Sequence, residues 1–592
     1  MPQVQLGAGL SLAYPDSVAV VTQATAIGRT ATTSGARRGR RQASTARDTA
    51  ARDMSPLLKE LRNQGFELAG EFSVTPKRGR RNQARSRRAL PGIGDQMSTL
   101  TVDLAADEDA VVMTVDENDE IDWVFADGST VSGKTLPRER RGRGARSRPA
   151  PARAAGEAGR VTFSIGGTAP AKQPTGRAGA RRGLFGGILK GIAGWVFKFV
   201  RTKITGLLIH HLERNIKRGL VRVTSNIPSE WTILGERALL PPTNRTDGTP
   251  PRVLLLVHGT FSSTVGSFGG LAFSEPGLAL LGAARAQYDH IVGWDHYTLS
   301  ATPEANAMEI QDFLERMWPP GVTPPLIDVV AFSRGGLVFR TLLEQLLPGT
   351  RWTNQFQRVV FVASTLSGTK LAQKKNWKAF ITIISNLAVA ACRGVATVIP
   401  PAAVAAVWVE TVARGVAVLV RFLATAALDS DAVPGLAAMD PDQKVIKALN
   451  RTVPPDALVD RYHAVTNDFE PNGPGAAEAS DAMPSGLLLR MVDLVMDAQM
   501  GEGNDLVVHE SSMRSVGAEQ LPTDRTLRLP QNGRTMHTTS FRDAAVIGQL
   551  FAWLIDGAAT VATTDALTGR RGSGRLRARH SVRAKRRLAP VN

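Results

Sequence analysis

The stretch Pro325–Leu347, PLIDVVAFSRGGLVFRTLLEQLL, decides the fold of this chain. Its first part, Leu326–Phe332, is apolar apart from Asp328 and rich in β-branched residues, which predicts a buried parallel strand. From Gly336 onward the apolar residues recur at helical spacing, so a helix follows the strand directly. Ser333 lies between the two elements, and a serine on a tight turn from strand to helix is typical of a nucleophile elbow.

The elbow requires small residues on both sides of the serine, because larger side chains would collide across the turn. Ala331 and Gly335, two residues before and two after Ser333, meet this requirement, although glycine is the usual residue at the first position. A βα turn with an incidental serine would show the same short pattern. The nucleophile interpretation therefore depends on the rest of the chain.

A second apolar run, Val253–Val257, predicts another buried strand, and the sequence HGTF follows it. Such a loop supplies a backbone N–H donor for the oxyanion of an acyl-transfer reaction. That donor is Thr260 or Phe261, and the sequence leaves both open. The other donor is the N–H of the residue after the nucleophile, Arg334. His258 precedes the serine in the chain, whereas the histidine of a hydrolase triad follows it, in the order Ser, acid, His. We therefore expect His258 to be structural and not the catalytic base.

From about Gly235 to Asp556 the chain resembles the α/β-hydrolase superfamily, in its bacterial lipase and esterase branch. The motifs that carry the resemblance are VHGTF at Val257–Phe261, AFSRGG at Ala331–Gly336, NDLVV at Asn504–Val508, and His537 in TMHTTSF. The resemblance covers a little over half of the chain. It implies a doubly wound, mostly parallel sheet with helices on both faces, and hydrolysis of an ester or related acyl bond.

Two carboxylates compete for the role of triad acid. Asp468 directly follows the strand pattern YHAVT. Asp505 lies in NDLVVHESS, which resembles the lipase segment that carries the acid after a helical excursion, here expected at Leu487–Gln499. We favour Asp505, and Asp468 remains the alternative acid. His537 is the expected base, because His509 lies too close to Asp505 in the chain to serve it.

Composition limits the other possibilities. The chain has 592 residues, which is enough for several domains, and its single cysteine, Cys392, excludes an internal disulfide. The N-terminal sequence MPQVQLGAGLSLAY lacks a positive stretch followed by an apolar core, so we expect no signal peptide and a cytoplasmic protein, with peripheral membrane contact left open. No metal-ligand cluster or phosphate-binding glycine-rich loop is evident, so we expect no metal and no cofactor.

The net charge of +19 is unevenly distributed. We expect residues 1–182 to be basic and largely disordered, with a small α+β, β-rich island near 55–135. Residues 566–592 predict a second basic, disordered tail. Such runs are typical of linkers, and contact with anionic lipid or with nucleic-acid phosphates is an alternative. Aromatic residues do not interleave with them, so specific nucleic-acid binding is not expected.

Residues 183–230 predict an amphipathic helical segment. On a helix, apolar residues such as Trp195 and Phe199 share one face, whereas Lys190 and Lys198 lie on the other. This pattern is typical of a helix in a membrane interface. The same apolar face would also suit packing against the rest of the protein, and both interpretations remain open.

The expected hydrolase domain spans 235–560 and contains a helical cap insertion at 370–450. Within the insertion, Glu410 and Arg414 interrupt the apolar residues at helical spacing, which favours amphipathic helices over membrane spans. A cap of this kind would shield the site from water and shape an apolar pocket. A helical insertion without a gating role is the alternative.

The sequence therefore predicts a serine hydrolase that cleaves an acyl ester through Ser333, His537 and Asp505 and an acyl-enzyme intermediate. The apolar insertion and the cationic amphipathic segment favour a lipid-like substrate. The alternative is a catalytically silent hydrolase scaffold that serves as a membrane or protein interaction module. A hydrolase delivered as an effector is a third possibility that the residues do not decide.

Overall fold

The computed structural model of the chain describes residues 1–22, 55–76, 98–116, 120–126, 159–165, 192–200, 213, 217–241, 249–397, 416–417, 420, 423, 433–476, 492, 500 and 502–556. Its strands are β1 (Gln3–Gly7), β2 (Leu10–Ala13), β3 (Val18–Thr22), β4 (Glu67–Pro76), β5 (Ser98–Leu104), β6 (Glu108–Asp116), β7 (Ile121–Val124), β8 (Gly159–Ile165), β9 (Ile192–Val200), β10 (Gly219–Arg222), β11 (Thr232–Gly235), β12 (Arg252–Val257), β13 (His290–Asp295), β14 (Leu326–Phe332), β15 (Phe356–Val362), β16 (Tyr462–Phe469), β17 (Ser515–Val516), β18 (Glu519–Gln520) and β19 (Thr526–Asn532). Its α-helices are α1 (Ser55–Asn63), α2 (Thr264–Phe268), α3 (Glu275–Gln287), α4 (Pro303–Met317), α5 (Gly335–Thr341), α6 (Trp377–Thr397), α7 (Pro434–Ala437), α8 (Lys444–Leu449), α9 (Asp456–Val459), α10 (Glu510–Met513) and α11 (Ala544–Phe551).

An eight-stranded mixed sheet forms the centre of the C-terminal half, in the order β11-β10-β13-β12-β14-β15-β16-β19. Neighbouring strands from β13 to β19 pair in parallel, whereas β10 pairs antiparallel with both β13 and β11. Parallel strands need crossover connections, and helices supply several of them here. The architecture is therefore α/β, as the sequence predicted at this level.

The two faces of this sheet are both buried. Along β12, Leu254 and Leu256 pack into a core with α3 and α11, whereas Leu255 and Val257 pack into a second core with α4 and α5. Successive side chains of a strand point to opposite faces, so an uninterrupted apolar run is what a strand between two helical layers requires. The same reasoning explains the apolar run that precedes Ser333.

The sheet begins earlier in the chain than the sequence indicated. Strands β10 and β11 form an antiparallel hairpin at its edge. However, β10 lies within the segment that was predicted to be helical at 183–230, and β11 lies just after it. Each has only four residues, which is too short for a reliable alternating pattern. The expected domain start at residue 235 is therefore wrong, and the hairpin belongs to the sheet.

The N-terminal region contributes two antiparallel sheets, ordered β1-β2-β5-β8 and β3-β4-β9-β6-β7. They share a core in which Leu12 and Leu100 of the first sheet pack with Phe72 and Val112 of the second. The expected island near 55–135 was too small, because strands at 3–22, 159–165 and 192–200 complete these sheets. Long basic stretches separate the strands in sequence, so no local pattern indicates which strands pair.

The interfacial-helix interpretation is wrong for residues 192–200, which form strand β9 between β4 and β6. Trp195 and Phe197 face one hydrophobic core, and Val196 faces another. A strand buried on both faces is apolar throughout, and periodicity alone does not separate such a run from a buried helix segment. Lys198 donates to the backbone oxygen of Asp103 at 2.6 Å instead of facing a membrane. The rest of the predicted helix up to residue 212 lies outside the described residues.

Helix α6 lies inside the segment predicted as a helical insertion at 370–450, and it connects the two halves of the molecule. Trp123 Nε1 of β7 donates to Ser385 Oγ at 3.0 Å. The amide of Asn386 accepts from Ile121 N at 2.9 Å and donates to Ile121 O at 2.8 Å. Among the described residues, no helix combines the length and apolar character needed to cross a bilayer. A cap role for α6 stays a prediction.

Replacing Asn386 by alanine should destabilise the protein by about 2 kcal/mol, because it leaves two buried backbone groups of Ile121 without their partner. Urea unfolding followed by tryptophan fluorescence measures the effect. Asn354→Ala, which removes an exposed amide, is the matched control and should change stability by less than about 0.5 kcal/mol. Equal stability of the two variants would show that the contact between α6 and β7 contributes little.

Candidate active site

Ser333 lies on a sharp turn between the end of β14 and the start of α5. Its φ of 54° is in the left-handed region, which L residues rarely adopt. The serine N–H donates to Val362 O at 3.1 Å, and Gly336 N–H donates to Ser333 O at 3.1 Å. A Cβ atom at position 335 would lie 2.4 Å from Val257 O, so only glycine fits there. The small residue noted in the sequence at position 335 thus corresponds to a real close approach.

The structure brings Ser333, His537 and Asp505 together. His537 Nε2 lies 3.0 Å from Ser333 Oγ, and His537 Nδ1 lies 2.7 Å from Asp505 Oδ2. Since a carboxylate accepts, Nδ1 carries the proton and Nε2 is free to accept from the serine hydroxyl. All three side chains are buried. The sequence separation from Ser333 to His537 is 204 residues, so the parallel sheet creates this contact.

Asp505 is itself held in place by backbone donors. Its Oδ1 accepts from Val507 N at 3.0 Å and from Val508 N at 2.8 Å. The N–H of His537 also donates to the backbone oxygen of Asp505 at 3.0 Å. One carboxylate oxygen is thereby fixed by its own loop, while the other faces the imidazole.

Asp468, the alternative acid, has a different position. It accepts from Asn504 N at 3.2 Å and from Gln531 N at 3.3 Å, and burial raises its pKa. Of the two carboxylates, only Asp505 is hydrogen-bonded to His537 within the described structure. Asp468 instead connects the loop that carries Asp505 to the end of β19.

The HGTF loop lies directly beside the serine. A Cβ atom on Gly259 would lie 2.6 Å from Ser333 Cβ, so glycine allows this approach. The N–H of Phe261 already donates to Thr298 Oγ1 at 3.2 Å. Of the two alternatives, the N–H of Phe261 is therefore already engaged within the protein.

The guanidinium of Arg334 is buried beneath the site, where the sequence had suggested only a main-chain role for this residue. It donates to Asn306 Oδ1 at 2.9 Å and to the backbone oxygens of Gly435 at 3.2 Å and Ala301 at 2.5 Å. Burial lowers its pKa to about 10, so the side chain remains charged at neutral pH. Arg334 therefore anchors the start of α5 to the loop after β13.

His258 has the structural position that the sequence predicted. Its Nδ1 donates to Gly259 O at 2.9 Å, its Nε2 accepts from His296 N at 3.0 Å, and the two imidazole rings stack at 4.0 Å. Burial lowers the pKa of His258 to about 4, so the ring is neutral. Asp295, next in this cluster, accepts from Thr264 N and Oγ1 at 2.6 Å each, and burial raises its pKa to about 6.

Aromatic rings lie beside the histidine and on the HGTF loop. Phe332 lies 5.0 Å from the imidazole of His537 and 5.4 Å from Phe541, between ring centroids. On the side of the HGTF loop, Phe261 lies 5.8 Å from Phe380 of α6. Within the described ranges, no group of three or more His, Cys, Asp or Glu side chains is arranged to hold a metal ion. The arrangement can deliver a serine oxygen to an electrophile in apolar surroundings.

A family described as "Domain of unknown function (DUF7379)" matches residues 218–555 of the chain, from the edge hairpin to the last helix. The match covers more than half of the sequence. No curated protein matches the chain.

Three bacterial proteins of known structure share limited similarity with it. Phospholipase PlaB from Legionella pneumophila has a TM-score of 0.18 and 14% identity over 21% of this chain and 27% of PlaB. Lipase 1 from Pelosinus fermentans has a TM-score of 0.30 and 13% identity over 48% and 90%. A lipase-esterase related protein from Clostridium acetobutylicum ATCC 824 has a TM-score of 0.22 and 13% identity over 52% and 92%. The chain thus spans about a quarter of PlaB.

The neutral, buried His258 should make the protein sensitive to acid. In the unfolded chain the imidazole takes up its proton near its ordinary pKa of 6.5, whereas in the folded protein uptake waits until about pH 4. The stability that this group contributes is therefore complete above pH 6.5 and is lost as the pH falls towards 4.

We expect His258→Asn to be less stable than wild type at about pH 7, with the difference narrowing by about 2 kcal/mol at about pH 5. Urea midpoints of both proteins over this pH range provide the test. Parallel pH profiles would show that protonation of the buried His258 is not what destabilises the folded protein in acid.

Proposed function

The chain belongs to the DUF7379 family, and we propose that it is a serine hydrolase that cleaves an acyl ester. One observation carries the proposal. A continuous hydrogen-bonded chain runs from the backbone donors of the 505–508 loop through Asp505 and His537 to Ser333 Oγ. Distances of 2.7 and 3.0 Å are within the reach that proton transfer needs.

The sheet topology supports an assignment to the α/β-hydrolase fold. The serine follows β14, the acid lies beyond β16, and the histidine lies beyond β19, in the order Ser, acid, His. Because these strands are parallel, their carboxyl ends lie at one edge of the sheet, where ligands bind in open α/β folds. Under this proposal the hydrolase domain extends from the edge hairpin to about residue 556.

In the proposed mechanism, Ser333 Oγ attacks the acyl carbon while His537 Nε2 accepts the hydroxyl proton. Asp505 keeps the imidazole in the required tautomer and stabilises its cation. The N–H groups of Arg334 and Thr260 donate to the oxyanion of the tetrahedral intermediate, where one donor is worth ~3 kcal/mol of the barrier.

The intermediate collapses as the alcohol leaves with the proton from His537, and an acyl-enzyme remains. Water then attacks the acyl carbon, with the imidazole of His537 acting first as base and then as acid. Both half-reactions use the same two oxyanion donors. No step requires a metal ion or a cofactor.

Apolar residues packed around the HGTF loop favour an apolar, lipid-like acyl group. Phe380, Ile381 and Ile384 of α6 share one hydrophobic core with Phe261 of the HGTF loop. We therefore assign α6 to the cap, where it shields the site and contacts the acyl chain. A histidine far from the serine would favour the alternative of a catalytically silent interaction module. Instead, His537 Nε2 lies 3.0 Å from Ser333 Oγ.

Hydrolysis of p-nitrophenyl esters of increasing chain length tests the proposal, with Ser333→Ala as the blank. Asp505→Asn should lower kcat by about 10⁴, because an amide at this position favours the wrong tautomer of His537. Asp468→Asn is a matched control. Its carboxylate is hydrogen-bonded to the loop that carries Asp505 but not to the imidazole of His537. We expect it to retain activity within about tenfold.

The opposite ranking of these two variants would transfer the role of acid to Asp468. Activity that survives in Ser333→Ala would contradict the proposed mechanism altogether. A substrate preference for the shortest esters would contradict the assignment of α6 to an acyl pocket while leaving the triad intact.

A further inference from the structure

Glu213 is a buried carboxylate that the mechanism above does not use. It lies between β9 and β10, in the part of the chain that connects the N-terminal sheets to the central sheet. Its side chain is 2% exposed. Burial of a charged side chain is costly unless it is fully hydrogen-bonded, so its partners indicate its role.

The partners of Glu213 are three consecutive backbone N–H groups in the loop after β13. Its Oε1 accepts from Thr298 N at 3.0 Å and from Leu299 N at 2.9 Å. Its Oε2 accepts from Ser300 N at 2.7 Å. A single carboxylate thus fixes the backbone of this loop, which we call the 298–301 loop.

The 298–301 loop contacts both sides of the oxyanion site. Thr298 Oγ1 accepts the N–H of Phe261, the residue after the proposed donor Thr260. At its other end, Ala301 O accepts from the guanidinium of Arg334, the residue that supplies the second donor. The negative charge of Glu213 also favours the protonated form of the buried Arg334.

The loop has little freedom on its opposite side. Gly435 N–H donates to Leu299 O at 2.9 Å, and a Cβ atom on Gly435 would lie 2.1 Å from Thr298 O. The loop is therefore held between Glu213 and the start of α7. Loss of the carboxylate would free the three N–H groups and allow the loop to shift.

We propose that Glu213 is a positioning residue for the oxyanion hole, acting through the 298–301 loop on the N–H groups of Thr260 and Arg334. The inference rests on the proposed function. Glu213 touches neither substrate nor reacting atoms, so its effect should appear in transition-state stabilisation and not in ground-state binding. Preorganised donors lose their effect with small displacements, since their geometry must match the oxyanion.

The test compares Glu213→Gln with Glu236→Gln, which changes an exposed glutamate paired with Arg218. A glutamine at position 213 places an N–H donor against backbone N–H groups, so the loop should shift. We expect kcat for the best ester to fall about 10- to 100-fold, with KM changed less than about threefold. The Glu236 variant should behave as wild type.

A second readout distinguishes positioning from general stability. An alkyl trifluoromethyl ketone forms a tetrahedral adduct with the serine, and its inhibition constant should rise by the same factor by which kcat/KM falls. Glu213→Asp, which keeps the charge, should recover part of the activity. Thr298→Ala removes the acceptor for the Phe261 N–H and should reproduce the defect, with less than additive effects in the double variant.

Unchanged kcat and inhibition constant in Glu213→Gln, with only a lower melting temperature, would overturn the proposal. If that variant does not fold, full activity and inhibitor affinity in Thr298→Ala would overturn it equally. Absence of Ser333-dependent hydrolysis in wild type would instead contradict the proposed function, and the role of Glu213 would fall with it.

Discussion

The left-handed backbone of Ser333 is the constraint on which the rest of the site depends. A φ of 54° is unfavourable for serine by about 1–3 kcal/mol, and it persists only where the surrounding structure fixes it. Here three backbone hydrogen bonds, with Val362, Gly336 and Thr365, fix it together with glycines that admit close contacts. The strain positions Oγ 3.0 Å from His537 Nε2, at the carboxyl end of a buried sheet.

The N-terminal half of the chain is structurally connected to this site. Helix α6 contacts β7 through Ser385 and Asn386, and its Phe380 packs against Phe261 of the HGTF loop. Glu213, in the connection between the two halves, fixes the 298–301 loop. The N-terminal sheets therefore form part of the scaffold on which the proposed oxyanion hole and cap depend.

Sequence reasoning identified what local patterns encode. The elbow and the HGTF loop each follow a strand that is almost entirely apolar, so their positions could be predicted from local patterns, whereas His537 was identified through the resemblance. The choices between Asp505 and Asp468, and between Thr260 and Phe261, depend on contacts across the fold. Hydrogen bonds across the fold are what favour Asp505 and Thr260 in the proposed function.

The helix wrongly predicted at 192–200 and the missed role of Glu213 have related causes. Strand β9 is apolar on both faces, and its two partners, β4 and β6, lie on the far side of long basic stretches. The sequence of β9 therefore fits a helix as well as it fits a strand. Glu213 gave no signal, because its acceptor role depends on backbone groups 85 to 87 residues away. Long-range contacts of this kind are absent from single-sequence patterns.

Labelling with a fluorophosphonate probe shows directly whether Ser333 is an activated nucleophile. The purified full chain would be treated beside Ser333→Ala, with and without mixed detergent micelles that can displace a cap. Wild type should be labelled on the peptide that contains Ser333, and labelling should disappear in the variant. Equal labelling of both proteins, or no labelling of wild type even with micelles, would contradict this role of Ser333.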